Sequence, residues 1–356
     1  MSYELFSFLV IGYPYLVLPK AKHQPYPSIA KYRQSPFSKN CFAKLKKLKS
    51  VVLAVNYNFP HYKSTHLIRS FYQQIFGQVM FCGDKNDTTQ NLFEAPFNFN
   101  RKGYQGYMCL NLAMQLYPNF EGYFYTNDDV ILNWWQIIDL DLTKIWLGAQ
   151  FLPYKKYSHY IFGKMPSNPS WHWWRDVKAD ENCVQAFQKT ELFAKTKEGL
   201  SVRMDEYMKN YFKISQGNKM CFVSWSDVFY VPKQFRNAYI ALSKIWGDQS
   251  AFLETAVPTM LVFFMNTTAR NYLQLDGDYY VSKTGYSNDY LEGKSFYEYY
   301  DFHKMFVHPF KFDRLSMGRA NVNFFNTVVK RHSELFYNYC KETASQTTSK
   351  KILEHK

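Results

Sequence analysis

The chain has 356 residues, 47% of them hydrophobic and 20% charged, which is enough apolar material for a full core and excludes a disordered, collagen-like or polar-tract protein. Its net charge of +14 points on its face to a polyanionic partner, but eleven basic residues from Lys20 to Arg69 lie where no acidic residue occurs between Glu4 and Asp84. The remainder is close to neutral, so no nucleic-acid partner is expected and a basic segment precedes a folded one.

Leu5 to Leu18 is apolar and uncharged, shorter than the roughly 20 residues a spanning helix needs, and interrupted by Pro14. Residues 1–18 read either as a membrane anchor whose N-terminal part is missing or as an apolar segment of a soluble protein. Residues 19–50 mix Pro, Ser, Lys, Gln and Tyr without a period and read as a basic linker or stem. A single folded domain is expected over 51–340, followed by a polar tail over 341–356. Six cysteines (Cys41, Cys82, Cys109, Cys183, Cys221 and Cys340) include no C-x-x-C pair, which excludes a zinc ribbon and a dithiol redox motif and leaves their pairing unread. Sequons at Asn86 and Asn266 add weak support for a secretory route.

Within the domain, short apolar runs alternate with amphipathic stretches. Val51 to Val55 reads as a buried strand, Ser64 to Phe76 as a helix and Val79 to Cys82 as a second strand, which together make a βαβ unit. Gly103 to Leu116 predicts another helix and Gly122 to Thr126 the strand after it. The expected class is therefore α/β, with a mostly parallel central sheet flanked by helices and its ligand site at the carboxyl ends of the strands.

The strand at Gly122 runs into Asn127-Asp128-Asp129. Two adjacent carboxylates at a sheet edge raise one another's pKa, and a divalent cation removes that cost. Mg²⁺ or Mn²⁺ is suited to an incomplete shell of one or two Asp carboxylates that a diphosphate completes. The same aspartates could equally cap a helix. In order the chain shows a nucleotide-type strand ending in Asn56, a second ending in Gly83-Asp84, a helix, this Asn-Asp-Asp turn and, much later, Val307-His308-Pro309. From Val51 to Lys311 that succession resembles the GT-A-fold glycosyltransferases, which use nucleotide sugars and a D-x-D-type metal turn.

The resemblance implies a Rossmann-like catalytic domain in which Asp129 binds Mn²⁺ or Mg²⁺, Asp128 contacts the metal or ribose, and Asn56 with Asp84 holds the nucleoside of a UDP-sugar. His308 stands where some members of the fold draw a further metal ligand. One position departs from the pattern, because the first acid of D-x-D is Asn127 here. The implied reaction moves a sugar from a nucleotide diphosphate to a hydroxyl of a glycan, glycoprotein or glycolipid, in the Golgi or another secretory membrane.

Other residues are placed around that core. Arg101 and Lys102, just before a helix start, suit diphosphate oxygens and read equally as a solvated loop. Ile245 to Ser250 is expected to open an amphipathic helix, which would present Asp248 to the acceptor as a general base or merely as an N-cap. Glu254, six residues on, projects to a different face and is the weaker candidate. Trp171, Trp173 and Trp174, in a loop of Ser, Asn and Pro, offer an acceptor platform or belong to the core, while Trp134 and Trp135 read as core. Two alternatives stay open: a non-catalytic carbohydrate-binding protein on the same scaffold, and a metal-dependent phosphohydrolase.

Overall fold

The computed structural model describes residues 41–95, 104–149, 159–162, 178–279, 296, 300–312 and 315–354. Helix α1 (Cys41–Leu48) leads into β1 (Val51–Asn56), α2 (Thr65–Tyr72), β2 (Gln78–Gly83) and the short β3 (Leu92–Glu94). Next come α3 (Tyr107–Leu116), β4 (Gly122–Asn127), β5 (Ile131–Leu132), α4 (Trp134–Ile137), β6 (Ile145–Leu147) and β7 (His159–Ile161). A helical stretch, α5 (Ala179–Phe193), α6 (Lys197–Ser201) and α7 (Met204–Ile214), precedes β8 (Met220–Phe222) and β9 (Val228–Pro232). Helices α8 (Arg236–Asp248) and α9 (Leu253–Phe264), strands β10 (Tyr272–Gln274), β11 (Gly277–Tyr279) and β12 (Phe306–His308), and helices α10 (Leu315–Phe324) and α11 (Lys330–Glu354) complete the chain.

All six residues of β1 are buried, as its unbroken apolar run requires of a strand covered on both faces. It pairs in parallel with β2 on one side and β4 on the other, setting Val55 against Phe81 and Leu53 against Phe124. The main sheet runs β3-β2-β1-β4-β9-β6-β10, and β9 alone is reversed, antiparallel to both of its neighbours. This is the mixed, mostly parallel α/β domain that the alternating pattern implied.

Alternation along the strands sends side chains into two cores. Val52, Ala54, Tyr123, Tyr125, Phe229 and Val231 face α3, α5, α7, α8 and α9. Val51, Leu53, Val55, Phe124, Val228 and Tyr230 face α1, α2, α4 and α11. Trp134 and Trp135 lie in this second core as expected, their indoles donating to Ser333 Oγ (2.7 Å) and to the Phe302 carbonyl (3.0 Å).

Three boundaries differ from the sequence reading. Residues 41–48, read as the end of a linker, form α1, which buries Cys41, Leu45 and Leu48 at i, i+4 and i+7; the lysines between them hide that stripe in the composition. The helix expected from Ser64 to Phe76 is confined to α2, and the polar end of the chain continues α11 to Glu354. The six cysteines pair as Cys41–Cys340, Cys82–Cys109 and Cys183–Cys221, joining α1 to α11, β2 to α3 and α5 to β8. Among the described residues no helix is long and apolar enough to cross a membrane, and residues 5–18 lie outside them.

His332 on α11 packs against the rings of Trp135 (4.8 Å) and Phe302 (4.5 Å). Burial, helped by the nearby His303, pushes its imidazole down to about 4. Between that value and the unfolded pKa of about 6.5 the unfolded chain binds more protons, so stability is full above the window and is lost as pH falls through it, by about 3 kcal/mol at most. Melting temperatures from pH 7 to pH 4 are expected to fall less steeply for His332→Gln than for the parent; parallel curves would refute this.

Candidate active site

β1 leads to β2 on one side, while β4 lies on the other, so the gap between β1 and β4 is the topological switch point of the sheet, where α/β proteins place ligands. Asn56 and Asn127 end these two strands as register partners. Helix α3 starts above them. A Cβ on Gly106 would collide with the Tyr125 hydroxyl and sit 3.0 Å from Asn56 Nδ2, so glycine is needed for this close approach.

The turn after β4 is held by its backbone, Asp128 N donating to the Asn56 carbonyl (3.0 Å) and Asn127 N to that of Asp227 (3.1 Å). Asn127 is buried, and both ends of its amide are used: Oδ1 accepts from the Tyr125 hydroxyl (2.8 Å) and Nδ2 donates to Asp227 Oδ1 (2.7 Å). An aspartate there would face Asp227 as a like charge, which explains the departure from D-x-D. Asp227 lies just ahead of β9, the strand paired with β4.

Strand β5 follows the turn directly and pairs antiparallel with β12, Val307 against Ile131 and Phe306 against Leu132. That pairing carries His308 to Asp129. His308 Nε2 lies 3.5 Å from Asp129 Oδ1 and 3.5 Å from Asp227 Oδ1. Lys311, three residues beyond, places its ammonium on Asp129 Oδ2, and Phe310 N donates to the Asp129 carbonyl (2.6 Å).

The charges sort accordingly. Burial pushes the Asp129 carboxyl up, but Lys311 and His308 outweigh it and hold the group ionised, well below the usual carboxylate range. Burial and the charge of Asp129 push Asp128 up to about 7. For His308, burial works against the proton, yet Asp227 and Asp129 together raise its pKa. Glu254, in the first turn of α9, is buried, and burial with the charge of Asp227 raises its carboxyl well above the usual carboxylate range.

Of the predicted residues, the structure gathers Asn56, Asp128, Asp129 and His308. Asp84 follows β2, one strand further along the same edge, is exposed, and accepts from the Tyr62 hydroxyl (2.5 Å). Asp248 closes α8 instead of opening a helix, because the period begun at Arg236 runs unbroken through Leu242 and Trp246. The chain turns only at Ser250, in the left-handed region, and at the extended Phe252. Asp248 is exposed, and Gln105 Nε2 ties its helix end to the loop before α3 through the Gly247 carbonyl (2.6 Å). Arg101, Lys102, Trp171, Trp173 and Trp174 lie outside the described residues. Asp227 and Lys311 received no role from the sequence, although an acid heading an apolar strand and a cation three residues after His308 were both visible there.

Among the described residues no group of three or more His, Cys, Asp and Glu is arranged to hold a metal by itself. The donors nevertheless suit a hard divalent cation completed by a ligand. Asp129 Oδ1 is buried without a hydrogen-bond partner among the described residues, as is Asn56 Oδ1, and carboxylate and imidazole are both donor types that Mn²⁺ accepts.

The fold and these side chains define an α/β protein with a charged ligand edge at its switch point. The family described as STELLO glycosyltransferases matches residues 23–211, more than half of the chain, and the chain belongs to that family. The matched segment holds the Asn-Asp-Asp turn and ends before Asp227, Asp248, Glu254, His308 and Lys311. The Arabidopsis thaliana protein named as probable glycosyltransferase STELLO2 is 26% identical over 217 residues, which are 61% of this chain and 25% of that protein. STELLO1 of the same plant, named likewise, is 26% identical over 218 residues, 61% of this chain and 24% of its own length. The chain thus spans about a quarter of the length of these relatives. No solved structure matches.

Proposed function

We propose that the chain transfers a sugar from a nucleotide diphosphate, a UDP-sugar, to a hydroxyl of a glycan, glycoprotein or glycolipid. The observation that carries this reading is the buried, ionised Asp129 at the β1–β4 switch point, faced by His308 and Lys311, in a chain of a glycosyltransferase family. Asp129, Asp128 and His308 are the residues that would hold Mn²⁺ or Mg²⁺, a cation that supplies positive charge to the leaving diphosphate. Lys311, whose ammonium sits on Asp129, brings positive charge to the edge where the diphosphate oxygens bind. Asn56 and Asp84, along the same strand ends, hold the nucleoside, with Arg101 and Lys102 toward the phosphates.

Asp248 takes the proton of the acceptor hydroxyl as its oxygen attacks C1 of the donor sugar. Burial and the charge of Asp227 raise the Glu254 carboxyl, which disfavours its ionised form and leaves it the weaker candidate for that base. Trp171, Trp173 and Trp174 remain the proposed acceptor platform. A lumenal Golgi or secretory location, anchored through residues 5–18, accords with three disulfides, which persist in oxidising compartments.

A ligand that binds only the folded state raises its melting temperature, by about 2.7 kcal/mol of added stability at a hundredfold excess over Kd. UDP and UDP-sugars with Mn²⁺ are expected to raise it by several degrees, and UDP without the cation by less. A melting temperature unmoved by UDP, UDP-glucose, UDP-galactose and UDP-N-acetylglucosamine, with or without Mn²⁺, refutes the reading.

A further inference from the structure

We propose that Trp225, backed by Tyr279, is a stacking surface for a pyranose ring beside the reacting groups. The proposal rests on the glycosyltransferase reading and gives it a sugar site outside the tryptophan loop named above. Trp225 lies between β8 and β9 and is 45% exposed, a costly position for an indole. It stands two residues before Asp227, the carboxylate that Asn127 and His308 face. The Tyr279 ring sits 4.7 Å from the indole at an angle of 48° and 5.5 Å from the His308 imidazole at 70°. One aromatic wall therefore runs from the Asp129–His308 pair through Tyr279 to an indole open to solvent.

The backbone beneath Trp225 is held in place. Ser224 N donates to the Glu254 carbonyl (3.0 Å), and Ser226 Oγ donates to the Ser224 carbonyl (3.0 Å). A small cleft of about 190 Å³, counting its open mouth, lies alongside, lined by Leu147, Gly148, Trp225, Val228 and Val257. Gly148 keeps this floor low, since a Cβ there would come within 2.8 Å of the Tyr279 hydroxyl. An indole face suits the C–H face of a sugar ring, and the neighbouring Asp227 and His308 suit its hydroxyls. A pyranose has both kinds of surface. It can belong to the nucleotide sugar or to the acceptor glycan.

The test is calorimetric titration of the full chain and of Trp225→Ala and Trp225→Phe with Mn²⁺ present. The probes are UDP; UDP-glucose, UDP-galactose and UDP-N-acetylglucosamine; and, with UDP bound, cellobiose, maltose and lactose. UDP affinity is expected to be unchanged by either substitution. Affinity for the sugar-bearing probes that bind is expected to drop about tenfold in the alanine variant and to return to within about threefold in the phenylalanine variant. A loss confined to the nucleotide sugars assigns the platform to the donor, and a loss confined to the disaccharides assigns it to the acceptor. Parent protein that binds UDP but none of the sugar-bearing probes, or an alanine variant that binds all of them as the parent does, overturns the platform alone. Parent protein that does not bind UDP overturns the glycosyltransferase reading together with the platform. Because the side chain is half exposed, the melting temperatures of both variants are expected to stay within a few degrees of the parent, which separates lost binding from lost folding.

Discussion

Asp129→Asn is expected to lower sugar transfer by about a hundredfold to a thousandfold or more and to cost about 3 kcal/mol of stability. Both effects have one origin. The Asp129 carboxylate is buried, ionised and shared between His308 and Lys311, so it is the negative charge that balances the Lys311 ammonium and favours a proton on His308. The amide can accept a hydrogen bond but cannot neutralise the Lys311 ammonium, and a buried pair broken from one side leaves the other charge uncompensated. His308, whose pKa is raised in part by Asp129, then loses much of its hold on the proton. Asp128→Asn supplies the contrast. Its carboxyl titrates at about 7, so at neutral pH the substitution removes only part of a charge and relieves repulsion within the pair. Its effect on stability is expected to be near zero or slightly favourable, with a smaller loss of activity. Turnover of a UDP-sugar and melting temperature, measured on both variants, check the ordering; an Asp129→Asn enzyme within a few-fold of the parent would sink the proposed function.

Part of this site could be read from residue order because part of it is local. Asn56 and the Asn-Asp-Asp turn terminate apolar strands, and parallel strands place their carboxyl ends side by side whatever the rest of the chain does. His308 could be flagged as a type of residue. Its route to Asp129 could not, since that depends on β12 pairing with a two-residue strand too short to give a periodic signal. Asp227 was hidden for a related reason. Its meaning lies in a bond to Asn127 across two antiparallel strands a hundred residues apart, and no spacing encodes that contact. With Asp227 in place, an asparagine at position 127 supplies the donor that a neighbouring carboxylate requires.

The misplacement of Asp248 has a different cause. Gly247-Asp248 looks like a helix boundary by local preference, yet Trp246 is fully buried and its indole donates to Thr190 Oγ1 (3.1 Å) on α5, so tertiary packing carries α8 past the glycine. The same kind of override produced α1. Its lysines dominate the composition of residues 41–48, but Lys44 pairs with Asp139 (2.5 Å) while Cys41, Leu45 and Leu48 turn inward. Composition averages over a helix's two faces, and here only one of them decides the structure.

Replacing both Cys41 and Cys340 by serine is expected to cost about 5 to 6 kcal/mol, a very large effect for the loss of one covalent link. The bridge joins residues 299 apart in sequence, so it closes nearly the whole described chain into one loop, and the denatured state of the linked protein is deprived of correspondingly more conformational freedom. By comparison, Cys82–Cys109 and Cys183–Cys221 close loops of 27 and 38 residues, for which the same relation gives about 3.5 to 4 kcal/mol. The long bridge also has a structural task. It fastens α1 to α11, two helices from opposite ends of the domain that share the core beneath β1 and contain Leu45, Leu48 and Phe336. Without the bond, both helices keep their apolar stripes but gain the freedom to separate as a pair. Denaturant unfolding of the double variant is therefore expected to show a lower midpoint, with early exposure of α1 and α11 to proteolysis while the β1–β4 edge stays folded. UDP binding in buffer alone is then preserved. A midpoint equal to that of the parent, in protein whose thiol count confirms that the parent is fully oxidised, would mean that packing alone closes this end of the domain.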